Sequence, residues 1–185
     1  MIHIPCGFVK IMVNKIFHFR TFKASPICAI SPLTEITLEH GAELSLGRKF
    51  KMRDGAKLRV RKGSKCKIGN NVLINSNNII ACHENVVIGD GVQLSPGVQI
   101  YDHDHDFRTE VGIGSMDYKS APVIIGNNVW IGANSIILRG SVIGDNCVVA
   151  AGSIIKGVYP SNLIIYQKRE IATKVIEKDI ERGAK

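Results

Sequence analysis

Branched aliphatic side chains recur at every sixth position through the C-terminal half of the chain: Ile125, Ile131, Ile137, Ile143, Val149 and Ile155. A period of six matches neither a 3.6-residue helix nor the two-residue alternation of a plain strand, so each unit must hold one short strand and one obligatory turn. Such a unit is one side of a coil. Three sides closing a triangle put three aliphatics inside per coil, and stacked coils pair their backbones as parallel strands around an aliphatic column. The fifth position of each hexad is mostly small (Val129, Ser135, Ser141, Cys147, Ser153, Tyr159), and Gly follows the aliphatic at Gly126, Gly132 and Gly144. An earlier run keeps the period with Ile68, Ile74 and Ile80, shifts by two residues, and resumes with Ile88, Leu94 and Ile100.

At 185 residues, with 45% hydrophobic and 22% charged content, the chain is the size and composition of one water-soluble domain. Cys6, Cys28, Cys66, Cys82 and Cys147 are odd in number and widely spaced, which argues against a disulfide framework and fits a reducing cytoplasm. No apolar run is long enough for a membrane span or a signal peptide, so a cytoplasmic protein is expected. The formal charge of +8 is concentrated in one segment. Arg48 to Lys67 holds ten Lys or Arg against Asp54 alone, and the remainder is close to neutral. Nucleic acid is not the expected partner, because only Phe50 is available for stacking there.

The segment Ile125-Gly-Asn-Asn-Val-Trp-Ile-Gly, followed by Ile143-Gly-Asp-Asn and Ala151-Gly-Ser-Ile, resembles the hexapeptide-repeat acyltransferases, in their maltose, galactoside and polysaccharide O-acetyltransferase branch. The resemblance implies a left-handed parallel β-helix, a homotrimer with sites between subunits, and acetyl-CoA as acyl donor. The expected organisation is an apolar-basic segment over 1–35 with a short helix, the β-helix over 36–165 with an inserted loop at 102–122, and a C-terminal helix over 166–185. Residues 36–63 read as degenerate coils.

The repeat breaks at Tyr101-Asp-His-Asp-His-Asp-Phe107, and loops that interrupt a rigid scaffold are where chemistry tends to sit. In extended form His103 and His105 share one face, with Asp102, Asp104 and Asp106 on the other. Imidazole suits a general base that takes a proton from an acceptor hydroxyl. Counting five residues from Ile100, as the family resemblance implies, selects His105 as that base, with His103 in reserve and any of the three Asp able to orient a ring. The resemblance also implies substrate contacts from Asn75, Trp130 and Tyr118. The CoA arm is expected along Ala133, Ala151, Gly152 and Ser153, with Lys156 or Lys174 meeting its phosphates. The family's terminal Gly and Pro are missing from Glu170-Ile-Ala-Thr-Lys-Val-Ile.

Two other readings stay open. One is a γ-class carbonic anhydrase-like metalloenzyme using His83 with His103 and His105; the other is a β-helix scaffold without catalysis. On the acyltransferase reading, the basic segment and the apolar-basic N-terminus point to an anionic glycan or a phosphate-linked sugar, as in a cell-surface polysaccharide precursor, with peripheral contact at the inner membrane face.

Overall fold

The computed structural model describes residues 11–174 apart from 15, 19 and 169. Three parallel sheets form the walls of a prism, the left-handed parallel β-helix. The first wall runs from Phe22–Ala24 to Val158–Tyr159, the second from Cys28–Ile30 to Ile164–Ile165, and the third from Glu35–Leu38 to Ile154–Ile155. Consecutive strands visit the three walls in rotation, so each strand's neighbour within a wall lies one whole coil away in sequence.

Register gives the length of each coil. Leu44 pairs with Cys66, a step of 22 residues; Ile68 pairs with Ile88, a step of 20. Ile125 pairs with Ile143, a step of 18, and Val149 with Ile165, a step of 16. Only the 18-residue coils are three clean hexads. The N-terminal coils carry strands of three or four residues, such as Lys57–Val60 and Lys65–Ile68, which is why residues 36–63 look degenerate in sequence. The two-residue phase shift after Ile80 has the same origin, because Ile79–Cys82 is a four-residue strand.

Inward side chains stack rung on rung. Leu46, Ile68, Ile88, Ile125 and Ile143 form one buried column; Leu58, Ile80, Ile100, Ile137 and Ile155 form another. Each such side chain contributes about 1.5–3 kcal/mol on burial. The wide N-terminal coils need larger fillers, and Phe50 and Met52 are completely enclosed there.

The corners are as regular as the walls. Between the first and second walls, Asn71, Asn128, Asn146 and Asn162 all have positive φ, a conformation Asn tolerates because its amide bonds locally. Beside them runs a polar ladder in which each backbone N–H donates to a side-chain oxygen one coil on: Asn70 to Asp90, Asp90 to Asn127, Asn127 to Asp145, Asp145 to Ser161. Of the Gly residues that follow the aliphatic, Gly126 and Gly144 stand at this same corner and Gly132 at the next. A Cβ on Gly126 would meet the Asp145 carboxylate and lie 2.8 Å from the Asp145 nitrogen, so the tight corner admits only Gly.

The prism begins before the expected boundary at residue 36, since Phe22–Ala24 and Cys28–Ile30 already pair with the next coil. Residues 11–14 and 16–17 are helical and Ile11 joins the core from above, as the expected short helix would. The helix expected over 166–185 is absent from its described part: residues 166–168 and 170–174 have no helical turn. The cause is local. The Gln167 amide accepts from the Ile154 N–H at 3.0 Å and donates to its carbonyl at 3.2 Å, occupying the open edge of the third wall and holding the chain away from helix. Residues 175–185 lie outside the described residues.

Gly126→Ala should lower stability by about 1–3 kcal/mol through overpacking of the corner, whereas Gly114→Ala, whose added Cβ meets only a Val111 methyl at 3.5 Å, should be close to neutral. Urea midpoints of the two variants check the difference.

Candidate active site

After Tyr101 the chain leaves the third wall and does not return until Val123–Ile125 in the first. The excursion is a hairpin in which His103–His105 pairs antiparallel with Tyr118–Ser120, closed by a short 3-10 turn at Gly112–Ser115. Its departure would strand backbone donors of the coil beneath. In earlier coils the corresponding amides are met by main-chain carbonyls, Glu43 by Ser64 and Lys65 by Glu84. At the insertion the Asp102 carboxylate takes that place, accepting from the N–H groups of His83, Glu84 and Asn85 at 2.8, 2.8 and 2.9 Å.

Asp102 is fully buried. Burial alone would raise its pKa, but the bond to His103 and the backbone donors outweigh it and hold the carboxyl below its usual value. The same carboxylate lies 3.2 Å from His103 Nδ1. Of the three Asp residues able to orient a ring, the fold therefore gives this place to Asp102. Asp104 instead pairs with Arg139, and Asp106 with Lys119 and Arg108.

The His103 ring, with only 13% of its side chain exposed, stacks on His83 at 3.5 Å between centroids and 20° between planes. Tyr118 stands edge-on to both, at 4.5 Å from His83 and 5.4 Å from His103. Desolvation, and then the neighbouring His103, pushes the His83 pKa down to about 4, so His83 is neutral near pH 7. His105 is more exposed, and its ring touches Tyr118 in a tilted contact at 4.7 Å. His83 entered the sequence reading only as a metal ligand. Its place beneath His103 was available from the coil length, because 83 and 103 are one 20-residue coil apart, as Ala81 and Tyr101 are in register. Among the described residues no three His, Cys, Asp or Glu side chains are arranged to hold a metal, and the stacked rings of His83 and His103 cannot aim nitrogens at a common point.

The remaining expected residues sit elsewhere on the protomer. Asn75 and Trp130 belong to the second wall and its corner with the third. Trp130 is 54% exposed and donates Nε1–H to Ser95 Oγ at 2.9 Å; the Asn75 side chain accepts from Ser76 N–H at 3.0 Å. Ala133, Ala151 and Gly152 line the same corner lower down as a strip of small residues. Two details depart from expectation: the Gly152 N–H is used in coil stacking, on the Ala133 carbonyl, and Ser153 is buried with its hydroxyl on the Ala150 carbonyl. The Ser153 side chain therefore faces the core. Lys156 and Lys174 are exposed.

Residues 122–157 match the model of the bacterial transferase hexapeptide family, in its six-repeat form. Those residues carry the hexapeptide repeat of that family. Over 181 residues the chain is 28% identical to WbbJ of Escherichia coli, named as a lipopolysaccharide biosynthesis O-acetyl transferase, covering 94% of this chain and 89% of that one. It is 40% identical over 97 residues to the galactoside O-acetyltransferase of Escherichia coli, covering 52% of this chain and 47% of that protein. Across these and a yeast relative, the match spans between 47% and 89% of the relatives' own length. In fold it resembles a crystal structure of a variant of AntD, an N-acyltransferase from Bacillus cereus, in complex with dTDP-4-amino-4,6-dideoxyglucose and coenzyme A. The TM-score is 0.67 at 20% identity, over 91% of this chain and 90% of that chain.

Because unfolded imidazole binds a proton near pH 6.5 and native His83 only near 4, the unfolded state holds more protons between those values. Stability should therefore fall as pH drops from about 6.5 to about 4. His83→Phe, which keeps a flat ring in the stack, should flatten that part of the Tm–pH curve; an unchanged slope would assign the acid sensitivity to other groups.

Proposed function

We propose that this chain transfers an acetyl group from acetyl-CoA to a sugar hydroxyl of a cell-surface polysaccharide precursor, with His103 as general base. The observation that carries this reading is the Asp102–His103 pair: a buried carboxylate, fixed by three backbone donors, on Nδ1 of an imidazole. A carboxylate can only accept, so it holds the proton on Nδ1 and leaves Nε2 free to take one. Bound acetyl-CoA supplies the activated carbonyl. His103 Nε2 removes the acceptor's hydroxyl proton as the oxygen forms its bond to that carbonyl; Asp102 steadies the imidazolium that results, and the ring then returns the proton to the departing thiol sulfur. His105, favoured by residue counting, is better supported as a contact of Tyr118 at the mouth of the site.

No single protomer brings the histidines together with Asn75, Trp130 and the small-residue strip. The histidines leave the corner of the third and first walls, whereas the other set lies on the second wall and its corner with the third. A homotrimer that sets one corner against the next subunit's wall completes the site. In it Ala133, Ala151 and Gly152 flank the CoA arm, Lys156 and Lys174 meet its phosphates, and Asn75, Trp130 and Tyr118 contact the acceptor. Among the described residues no helix is long and apolar enough to cross a membrane, and a cytoplasmic enzyme acting at the inner membrane face is the proposed setting.

With acetyl-CoA and a panel of sugar acceptors, read by thiol release, His103→Ala should lower kcat by about 10²-fold or more. Asp102→Asn should follow it, and His105→Ala should cost less than about tenfold. The opposite order would make His105 the base, and full turnover in all three variants would remove the enzymatic reading.

A further inference from the structure

The basic segment is not one field. Arg59 pairs with Glu35, Arg61 with Glu39 and Lys65 with Glu43, acids supplied one coil earlier on the third wall, its corner and the first wall. Arg48, Lys49, Lys51 and Arg53, around the second wall, are exposed and have no acidic partner within ion-pair distance among the described residues. Lys57, Lys62 and Lys67, on the third wall, its corner and the first wall, have no ion pair among the described residues either, so the four around the second wall are the largest group of unpaired cations in the segment and not its whole excess.

That end is also apolar on its outside. The helical residues seat Ile11 in the core, yet the side turned outward carries Met12, Val13, Ile16 and Phe17, with Phe17 76% exposed. Ile27 and Leu33, at corners of the first coil, are exposed as well. A capping helix that met only water would present polar residues there. Two of the unpaired cations line a cavity of about 500 Å³ on this side of the prism. Its upper part is Pro26, Ile27 and Ala29, Lys49 and Lys51 stand at its middle, and Leu73 and Gln93 close its lower part. The outward row Ala29, Lys51, Leu73, Gln93, Trp130 is in continuous register. At about 4.8 Å per rung, the apolar end lies about 19 Å from Trp130 with the lysines between.

We propose that the N-terminal end of the prism docks on an anionic membrane and that the cavity takes the phosphate of a lipid-phosphate-linked sugar, the acceptor class of the reaction proposed above. The lipid leaves past Ile27 into the bilayer, the phosphate meets Lys49 and Lys51, and the sugar lies down the row toward Trp130. Apolar insertion and anionic attraction act together at this one end, as they do in interfacial helices.

The test uses the full chain and does not depend on turnover. In sedimentation with vesicles, the protein should bind phosphatidylcholine containing about 30% phosphatidylglycerol at least tenfold more tightly than phosphatidylcholine alone, and high salt should release it. The double variants Ile16→Glu/Phe17→Glu and Lys49→Glu/Lys51→Glu should each weaken vesicle binding about tenfold or more, with unchanged oligomeric state, melting and acetyl-CoA binding. Farnesyl phosphate carrying a hexose on its phosphate should change the fluorescence of Trp130, the chain's only Trp, and UDP should not. Equal binding by the variants, no preference for anionic vesicles, or a response to UDP alone would overturn the proposal. Dissociation of an oligomer by Ile16→Glu/Phe17→Glu would do so too, by showing that the face is a subunit contact. Failure of acetyl-CoA to bind the unmodified chain would instead overturn the acetyltransferase reading.

Discussion

Every coil of this protein must close upon itself and lie in register with the next, and the rest of the molecule follows from that closure. Register is what stacks isoleucine on isoleucine in the interior, and it leaves the corners little freedom. Most corners hold a residue at positive φ and, between the first two walls from Gly47 to Gly144, a Gly with no room for a methyl group. The polar ladder from Asn70 to Ser161 meets the donors that such corners expose.

The constraint also explains where function can enter. A coil can be interrupted only if the donors it abandons are met and the chain returns in phase. Asp102 meets the first condition, and the pairing of Val86 with Val123 shows the second. The carboxylate that repairs the coil is the one that lies on His103, so closure of the fold and orientation of the imidazole rest on the same side chain. Removing it perturbs both, which is why the amide variant, close in shape to the acid, is the informative one.

What could be read from the sequence depended on coil length. The 18-residue coils announce themselves because three hexads fill them, and the insertion was visible as a break in that rhythm. The 22-residue coils were not, because longer strands shift the aliphatics off a period of six, and the prism's start at Phe22 was missed for that reason. At the site, alternation along a strand correctly put His103 and His105 on one face, but choosing among Asp102, Asp104 and Asp106 required knowing which backbone donors the insertion leaves open. The histidine pair needed the local coil length of 20. The basic segment misled as a simple charge count, since three of its ten cations are paired with acids of the preceding coil.

The shrinking coils have a geometric consequence of their own. Circuits of 22, then 20, 18 and finally 16 residues make the body a wedge, broad at Phe50 and Met52 and slender at Ile164–Ile165. In a body that tapers this way the last rung is the least enclosed, and Ile165, at 9% exposure, is correspondingly more open than Ile143 and Val149 at 1%.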